Sequence, residues 1–226
     1  MSNKWFLCLL CLLAMATSAC STRAQPIDLI QGETSTEADA QTAIDPEVKS
    51  ALTQYLLEEL EVKGPVWGSV VVTPLGDYQF LHEDHGEDQD VAKQVQIYRI
   101  HVAYAWIDGI AVMDGDQIVW FHRGFDLRQV YLANVDEDQA RELCIVGDTG
   151  SGIVRSNMTV YDFSQHIWDR YVLPMDQGTI NLTPMDDEDG LLVSKIKLLD
   201  LGIEADKTLM GRLALEDGKI VFLPLK

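Results

Sequence analysis

The stretch Tyr98-Arg99-Ile100-His101-Val102-Ala103-Tyr104-Ala105-Trp106 decides the fold, because its large apolar side chains fall on every second position. In an extended chain Tyr98, Ile100, Val102, Tyr104 and Trp106 project to one side, and Arg99, His101, Ala103 and Ala105 to the other. A helix would scatter the first set around its axis, so the stretch reads as a strand with one buried face. Working outward, Val66 to Thr73, Gln117 to His122, Val130 to Val135, Glu142 to Gly147, Met158 to Phe163, Ile167 to Leu173, Leu191 to Leu198, Leu209 to Leu215 and Ile220 to Leu225 read the same way. Asp114-Gly115-Asp116 and Glu216-Asp217-Gly218 carry hairpin chemistry between such runs. Short strands at regular spacing with almost no helix between them predict an all-β fold: an antiparallel sandwich, barrel or propeller-like assembly.

Upstream of Pro65 the period changes. Asp45-Pro46 places a capping side chain before a proline at the first helical position, and Val48, Leu52, Tyr55, Leu56 and Leu60 follow at helical spacing as far as Gly64-Pro65. This predicts one N-terminal amphipathic helix over 46–62 whose stripe packs on the sheet, within a single β domain spanning 45–226 and with strands from 66 onward. From Ser21 to Ile44 the chain is Ser, Thr, Ala, Gln and acid without periodicity, the composition of a flexible tether.

At the start, Lys4 supplies a positive flank and Trp5 to Met15 an apolar stretch too short to span a bilayer, which is the pattern of a secretory signal peptide over 1–19. Thr17-Ser18-Ala19-Cys20 looks like the box cut by the lipoprotein signal peptidase, with threonine where leucine is usual. Acylation of Cys20 makes the protein a lipoprotein of the cell envelope, extracytoplasmic and held to the membrane by lipid. A cut after Ala24, in Thr22-Arg23-Ala24, releases a soluble secreted form instead.

The formal charge of -19 repels phosphate backbones and excludes nucleic acid as a partner. Taking Lys4 away with the leader leaves 16 basic against 36 acidic residues, about -20. Cys8, Cys11 and Cys20 lie in the leader or at its boundary, so no disulfide framework forms and Cys144, in an apolar run, reads as a buried small hydrophobe.

The central segment YLANVDEDQARELCIVGDTGSGIVRSNMTVYD, Tyr131 to Asp162, resembles the repeats of integrin-like β-propellers, the FG-GAP and VCBS type. In that pattern a strand feeds an acidic DxDxDG loop and an acidic residue with leucine opens the next strand, as Asn134 to Leu143 does here. GSGI, VYD and the closing GRLALEDGKIVFLPL also look like uncharacterised β domains of Firmicutes lipoproteins. The resemblance covers roughly Trp67 to Leu225, at motif level the middle and the end. It implies calcium as cofactor, with Asn134, Asp136, Asp138, the backbone of Ala140, and Glu142 as ligands, since Ca²⁺ takes six to eight hard oxygens and alternate residues of a tight turn aim at one point. Glu137 and Gln139 stand where the family has glycines, which makes left-handed backbone angles costly, and a solvated acidic turn without metal is the alternative.

Asp148-Thr149-Gly150-Ser151 copies the aspartic-peptidase signature, and Leu209-Met210-Gly211-Arg212 resembles the element that supports that aspartate in retroviral-type enzymes. That chemistry requires two carboxylates sharing a proton around one water, so a single DTGS obliges a dimeric peptidase built on Asp148. The alternative is a glycine-rich turn between strands. His82 and His85, with Glu83, Asp84, Glu87, Asp88 and Asp90 nearby, supply divalent-metal ligand types, although no helix sets the two imidazoles on a common face. The run Met185 to Gly190 is a hairpin turn, and Asn157-Met158-Thr159 and Asn181-Leu182-Thr183 are glycosylation sequons in form. Trp67, Trp106, Trp120, Tyr131 and Trp168 fall in strand runs and read as core, with Trp168 the exposed exception beside Asp169-Arg170. No Ser-His-Asp arrangement, phosphate loop or cysteine metal cluster stands in the sequence, and the expectation is a non-catalytic binding or sensing domain for a protein or glycan ligand.

Overall fold

The structure, a computed structural model, describes residues 25–26, 44–58, 70–82, 91–102, 107–136, 138, 140–149, 155–186, 189–198 and 205–225. The signal peptide, Cys20, helix residues 59–62, strand residues 66–69 and 103–106, and His85 with its acidic neighbours lie outside the described residues. In chain order the elements are β1 (Gln25–Pro26), α1 (Pro46–Glu58), β2 (Val70–His82), β3 (Val91–Val102), β4 (Ile107–Asp114), β5 (Gln117–Gly124), β6 (Asp126–Ala133), β7 (Glu142–Thr149), β8 (Arg155–Asp162), β9 (Ile167–Val172), β10 (Thr179–Pro184), β11 (Leu191–Leu198), β12 (Ala205–Glu216) and β13 (Lys219–Leu223).

The helix begins where the capping residues place it. Asp45 Oδ1 accepts the Glu47 amide at 2.8 Å and Asp45 O accepts that of Lys49 at 3.0 Å, so Pro46 sits at the first position, where its missing N–H loses nothing. Val48, Leu52 and Leu56, one helical face, are buried.

The strands form three antiparallel meanders, β2-β3-β4-β5, β6-β7-β8-β9 and β10-β11-β12-β13, with each neighbour in sequence also the neighbour in space. They stack face to face. Leu143 and Ile145 of β7 join Phe80, Val95, Ile97, Ile110 and Val112 in a core between the first and second sheets. Cys144 and Val146, the alternate side chains of the same strand, join Ile180, Leu182, Leu191, Val193 and Leu213 between the second and third. On the far side of the first sheet, Ile100, Val102, Ala111 and Met113 meet α1. The all-β expectation therefore holds, in the form of stacked sheets under one helix. Among the described residues the stack closes into neither a barrel nor a propeller ring.

Period two holds over the last five residues of β3, where Tyr98, Ile100 and Val102 are buried, Arg99 is half-buried and His101 is exposed. It fails as a detector for β4, whose residues Ile107 to Met113 are all buried because α1 covers one face and the second sheet the other. A strand covered on both faces has no reason to alternate, so its sequence does not announce it. Strand β2 also runs beyond Thr73 to His82, passing Pro74 through a register shift at Gly76, whose φ of 143° suits glycine. Within the stretch read as a tether, Gln25 and Pro26 pair with Leu132 and Tyr131 on the free edge of β6, adding a fifth strand to the middle sheet. An open row of backbone groups on a sheet edge accepts any extended segment within reach, whatever its hydropathy.

Candidate metal centre

Register decides which residues meet at the end of the middle sheet. Ala133 of β6 pairs with Glu142 of β7, so the intervening loop leaves and returns at one end. Leu143 pairs with Tyr161 of β8, and Asp162 pairs with Ile167 of β9, so the β8–β9 hairpin stands at that same end. Carboxylate oxygens of Asp136, Asp138 and Glu142 lie there within 4.8 Å of one another. Oxygens on opposite sides of one calcium ion stand about 5 Å apart, given Ca–O distances of about 2.4 Å, so the three fit around a single ion.

The loop is shaped by its own acids. The Asp138 amide donates to Asp136 Oδ1 at 3.1 Å and the Ala140 amide to Asp138 Oδ1 at 2.6 Å, two successive turns in which an aspartate caps the backbone two residues on. The Asn134 side-chain amide donates to the Asp138 carbonyl, closing the loop across its mouth. Side-chain capping thus builds the tight turn that glycines build in the resembled family. Glu142 reaches back so that its Oε2 accepts the Val135 amide at 2.7 Å, and the Val135 carbonyl accepts the Leu215 amide at 2.8 Å from β12. Arg141 fastens the loop to both flanking sheets: its amide donates to the Tyr78 hydroxyl, and its Nε to Asp189 Oδ2 at 2.6 Å.

The electrostatics are those of a site short of positive charge. Glu142 and Asp162 are completely buried, and Glu142 Oε1 and Asp162 Oδ2 have no hydrogen-bond partner among the described residues. Burial, followed by the charges of Asp136, Asp138 and Asp162, pushes the Glu142 carboxyl up to about 9. Burial likewise lifts Asp136 to about 6, with Asp138 and Asp162 adding to the rise. The ion pairs seen among the described residues are Arg99–Asp108, Arg128–Asp148, Arg141–Asp189 and Lys219–Asp169, and none falls on this cluster. Buried carboxylates that no basic side chain matches are stabilised by a proton or by a metal ion.

Of the residues singled out in the sequence, Asp136, Asp138 and Glu142 come together, and Asn134 and Ala140 stand in the loop's framework through a side-chain and a backbone donor. Asp162 and Ser164 escaped sequence reading. Their only local signal is an Asp-x-Ser turn, in which Asp162 Oδ1 accepts the Ser164 amide at 2.6 Å, and their nearness to Glu142 depends on strand register.

Asp148 is placed differently. Its Oδ1 lies 2.9 Å from Arg128 Nη2, which also reaches Ser156, and its carbonyl accepts the Phe125 amide. Burial raises its carboxyl, and the Arg128 charge pulls the other way. A guanidinium seated on one oxygen competes with the shared proton and water that peptidase chemistry needs. His82 ends β2 and His85 lies outside the described residues. In the turn from Met185 to Gly190 the Met185 amide donates to the Gly190 carbonyl, and Asp189 goes to Arg141. Cys144 is buried and its thiol is pushed up by that burial, which leaves it inert. Trp168 is 52% exposed, as its charged neighbours implied, while Trp120 stacks on Tyr161 at 4.5 Å.

No family model, curated protein or solved structure matches this chain. Among the described residues no helix is long and apolar enough to cross a membrane.

Proposed function

We propose that this protein is a non-catalytic binding or sensing β domain whose central sheet carries one calcium ion, displayed at the cell envelope by lipid on Cys20. The observation that carries the calcium reading is the convergence of carboxylate oxygens of Asp136, Asp138 and Glu142 within 4.8 Å, with Glu142 fully buried and its Oε1 without a hydrogen-bond partner among the described residues. Calcium suits the donor set, because every group offered is a hard oxygen and no histidine or thiolate joins it. The ion fixes a loop that Arg141 already links to both neighbouring sheets, so occupancy sets the geometry of loops at that end of the stack, where a protein or glycan ligand is recognised. The leader pattern of Lys4, Trp5 to Met15 and Cys20 supports the envelope address and the membrane attachment.

Native mass spectrometry of the purified chain tests the reading: one calcium ion per chain is expected, removable by chelator. Asp136→Asn combined with Asp138→Asn should abolish the gain in melting temperature that calcium gives the wild type. Equal melting of the wild type with calcium and with chelator would remove the ion from the account. Turnover of a peptide library that disappears on Asp148→Ala would replace the non-catalytic reading with the peptidase one.

A further inference from the structure

We propose that Asp162, on the β8–β9 hairpin, is a fourth carboxylate of the calcium site, so that one ion ties this hairpin to the β6–β7 loop. The inference rests on the calcium reading above and extends the site to a second element. Asp162 stands one residue beyond the Leu143–Tyr161 pair, on the strand alongside Glu142, and both side chains are fully buried. Ser164 Oγ connects the two elements: it lies 2.7 Å from Asp162 Oδ1 and 3.4 Å from Asp138 Oδ2.

Capping the hairpin accounts for only half of the Asp162 carboxylate. Oδ1 accepts the amides of Ser164 at 2.6 Å and Gln165 at 3.1 Å along with the Ser164 hydroxyl, and an asparagine would do this equally well. Oδ2 is left buried with no partner among the described residues, the same condition as Glu142 Oε1 across the cluster. Leaving a buried charged oxygen unpaired is costly, and two such oxygens at one end of one sheet point to a cation held between the elements that carry them.

Asp162 is outside the set of three whose oxygens fall within 4.8 Å. Its place is therefore just beyond the ligating oxygens, where it acts on the ion by charge and accepts a hydrogen bond from a water that calcium retains. Calcium sites of six to eight oxygens commonly keep such waters, and three side chains with a backbone carbonyl leave positions for them.

Isothermal titration of calcium into the full chain, wild type and Asp162→Asn, reads the charge, because asparagine keeps the turn-capping oxygen. At about 5 Å even the dielectric of bulk water gives a divalent ion and one carboxylate enough attraction for a change of about tenfold in affinity, so Asp162→Asn should bind at least about tenfold more weakly. Hydrogen exchange in the wild type reads the tie independently of any variant: the amides of residues 164 and 165 should slow on calcium addition. Unchanged affinity in Asp162→Asn, or hairpin exchange in the wild type indifferent to calcium that binds, overturns this inference and leaves the three-carboxylate site standing. A wild type that binds no calcium overturns both.

Discussion

At one end of β7, Glu142 lies among Asp136, Asp138 and Asp162; at the other, Asp148 lies against Arg128. Both acids stood out in the sequence, one in a loop resembling a calcium repeat and one in a tetrapeptide resembling a peptidase signature. The difference between them is counter-charge. Asp148 has a guanidinium 2.9 Å away, and a neighbouring amide donates to its carbonyl. Glu142 has three carboxylates for neighbours and one oxygen with no donor among the described residues. An acid already matched by arginine is a structural element, whereas an acid buried with its own kind requires something that the polypeptide does not supply. The catalytic-looking end is thus the one already matched in charge, and the loop end is the one where a bound cation would add free energy to the fold.

The sharpest way to break this contrast is to vary pH without calcium. Glu142 has a folded-state value of about 9 against the ordinary 4.5, so the folded chain holds a proton that the unfolded chain releases. Its contribution to stability is complete below pH 4.5 and is lost as pH rises toward 9, on the order of 4 kcal/mol by pH 7.5. Urea unfolding in chelator should therefore show falling stability from pH 5 to 7.5, and Glu142→Gln should flatten that slope. Because the chain's net charge also weakens it as pH rises, the comparison with Glu142→Gln decides; parallel slopes would deny Glu142 any special role.

Calcium should reverse the same loss. Saturation at about a hundred times the dissociation constant contributes about 2.7 kcal/mol, or roughly 5–10 °C in melting temperature for a chain of this size. Glu142→Gln should lose that shift while melting higher than the wild type in chelator at pH 7.5. A shift that survives the substitution would place the ion elsewhere.

How much of this contrast could be read in advance differs between its parts. The alternation in Tyr98 to Val102, the Asp45-Pro46 helix start and the Asp217-Gly218 turn, with φ of 49° and 69°, are local facts, written in adjacent residues and kept by the structure. The loop acids were equally legible because their spacing of two is itself the geometry that brings them together. Strand β4 was hidden because both its faces are covered, and β10 because its alternation of buried Ile180 and Leu182 with Asn181 and Thr183 lasts only two periods before Pro184. Asp162 was hidden for another reason: its place beside Glu142 follows from the pairing of β7 with β8, and nothing in the residues around Asp162 encodes that partner. The bridge of Gln25 and Pro26 to β6 is likewise a property of the edge it joins rather than of the segment.

At the Asp148 end the largest effect should come from removing the cation. Arg128→Met leaves a half-buried carboxylate unmatched and takes a donor from Ser156, whose Oγ also accepts the Ile180 amide from the third sheet. The expected loss is about 2 kcal/mol, at the lower end for broken ion pairs because both partners keep some solvent contact. Calcium affinity should not change. A variant that lost calcium binding would mean that the two ends of β7 are coupled, and the contrast between them would fail.

The smallest effect should come from Asp148→Asn, and its smallness is informative. Asparagine keeps an oxygen for Arg128 Nη2, and the bond from the Phe125 amide goes to the backbone carbonyl, so the geometry of this corner persists. What is lost is the charge of the acceptor, set against relief of the burial that raises the Asp148 carboxyl, and the two oppose each other. The net should be within about 1 kcal/mol in thermal unfolding, with the calcium shift intact. In an aspartic peptidase the same substitution removes the proton-sharing carboxylate and abolishes turnover. Stability and activity therefore separate the two readings of Asp148 in one variant: a stable protein with unchanged behaviour marks it as the arginine's partner, and a stable protein that has lost peptide hydrolysis makes this the chemical end of the strand.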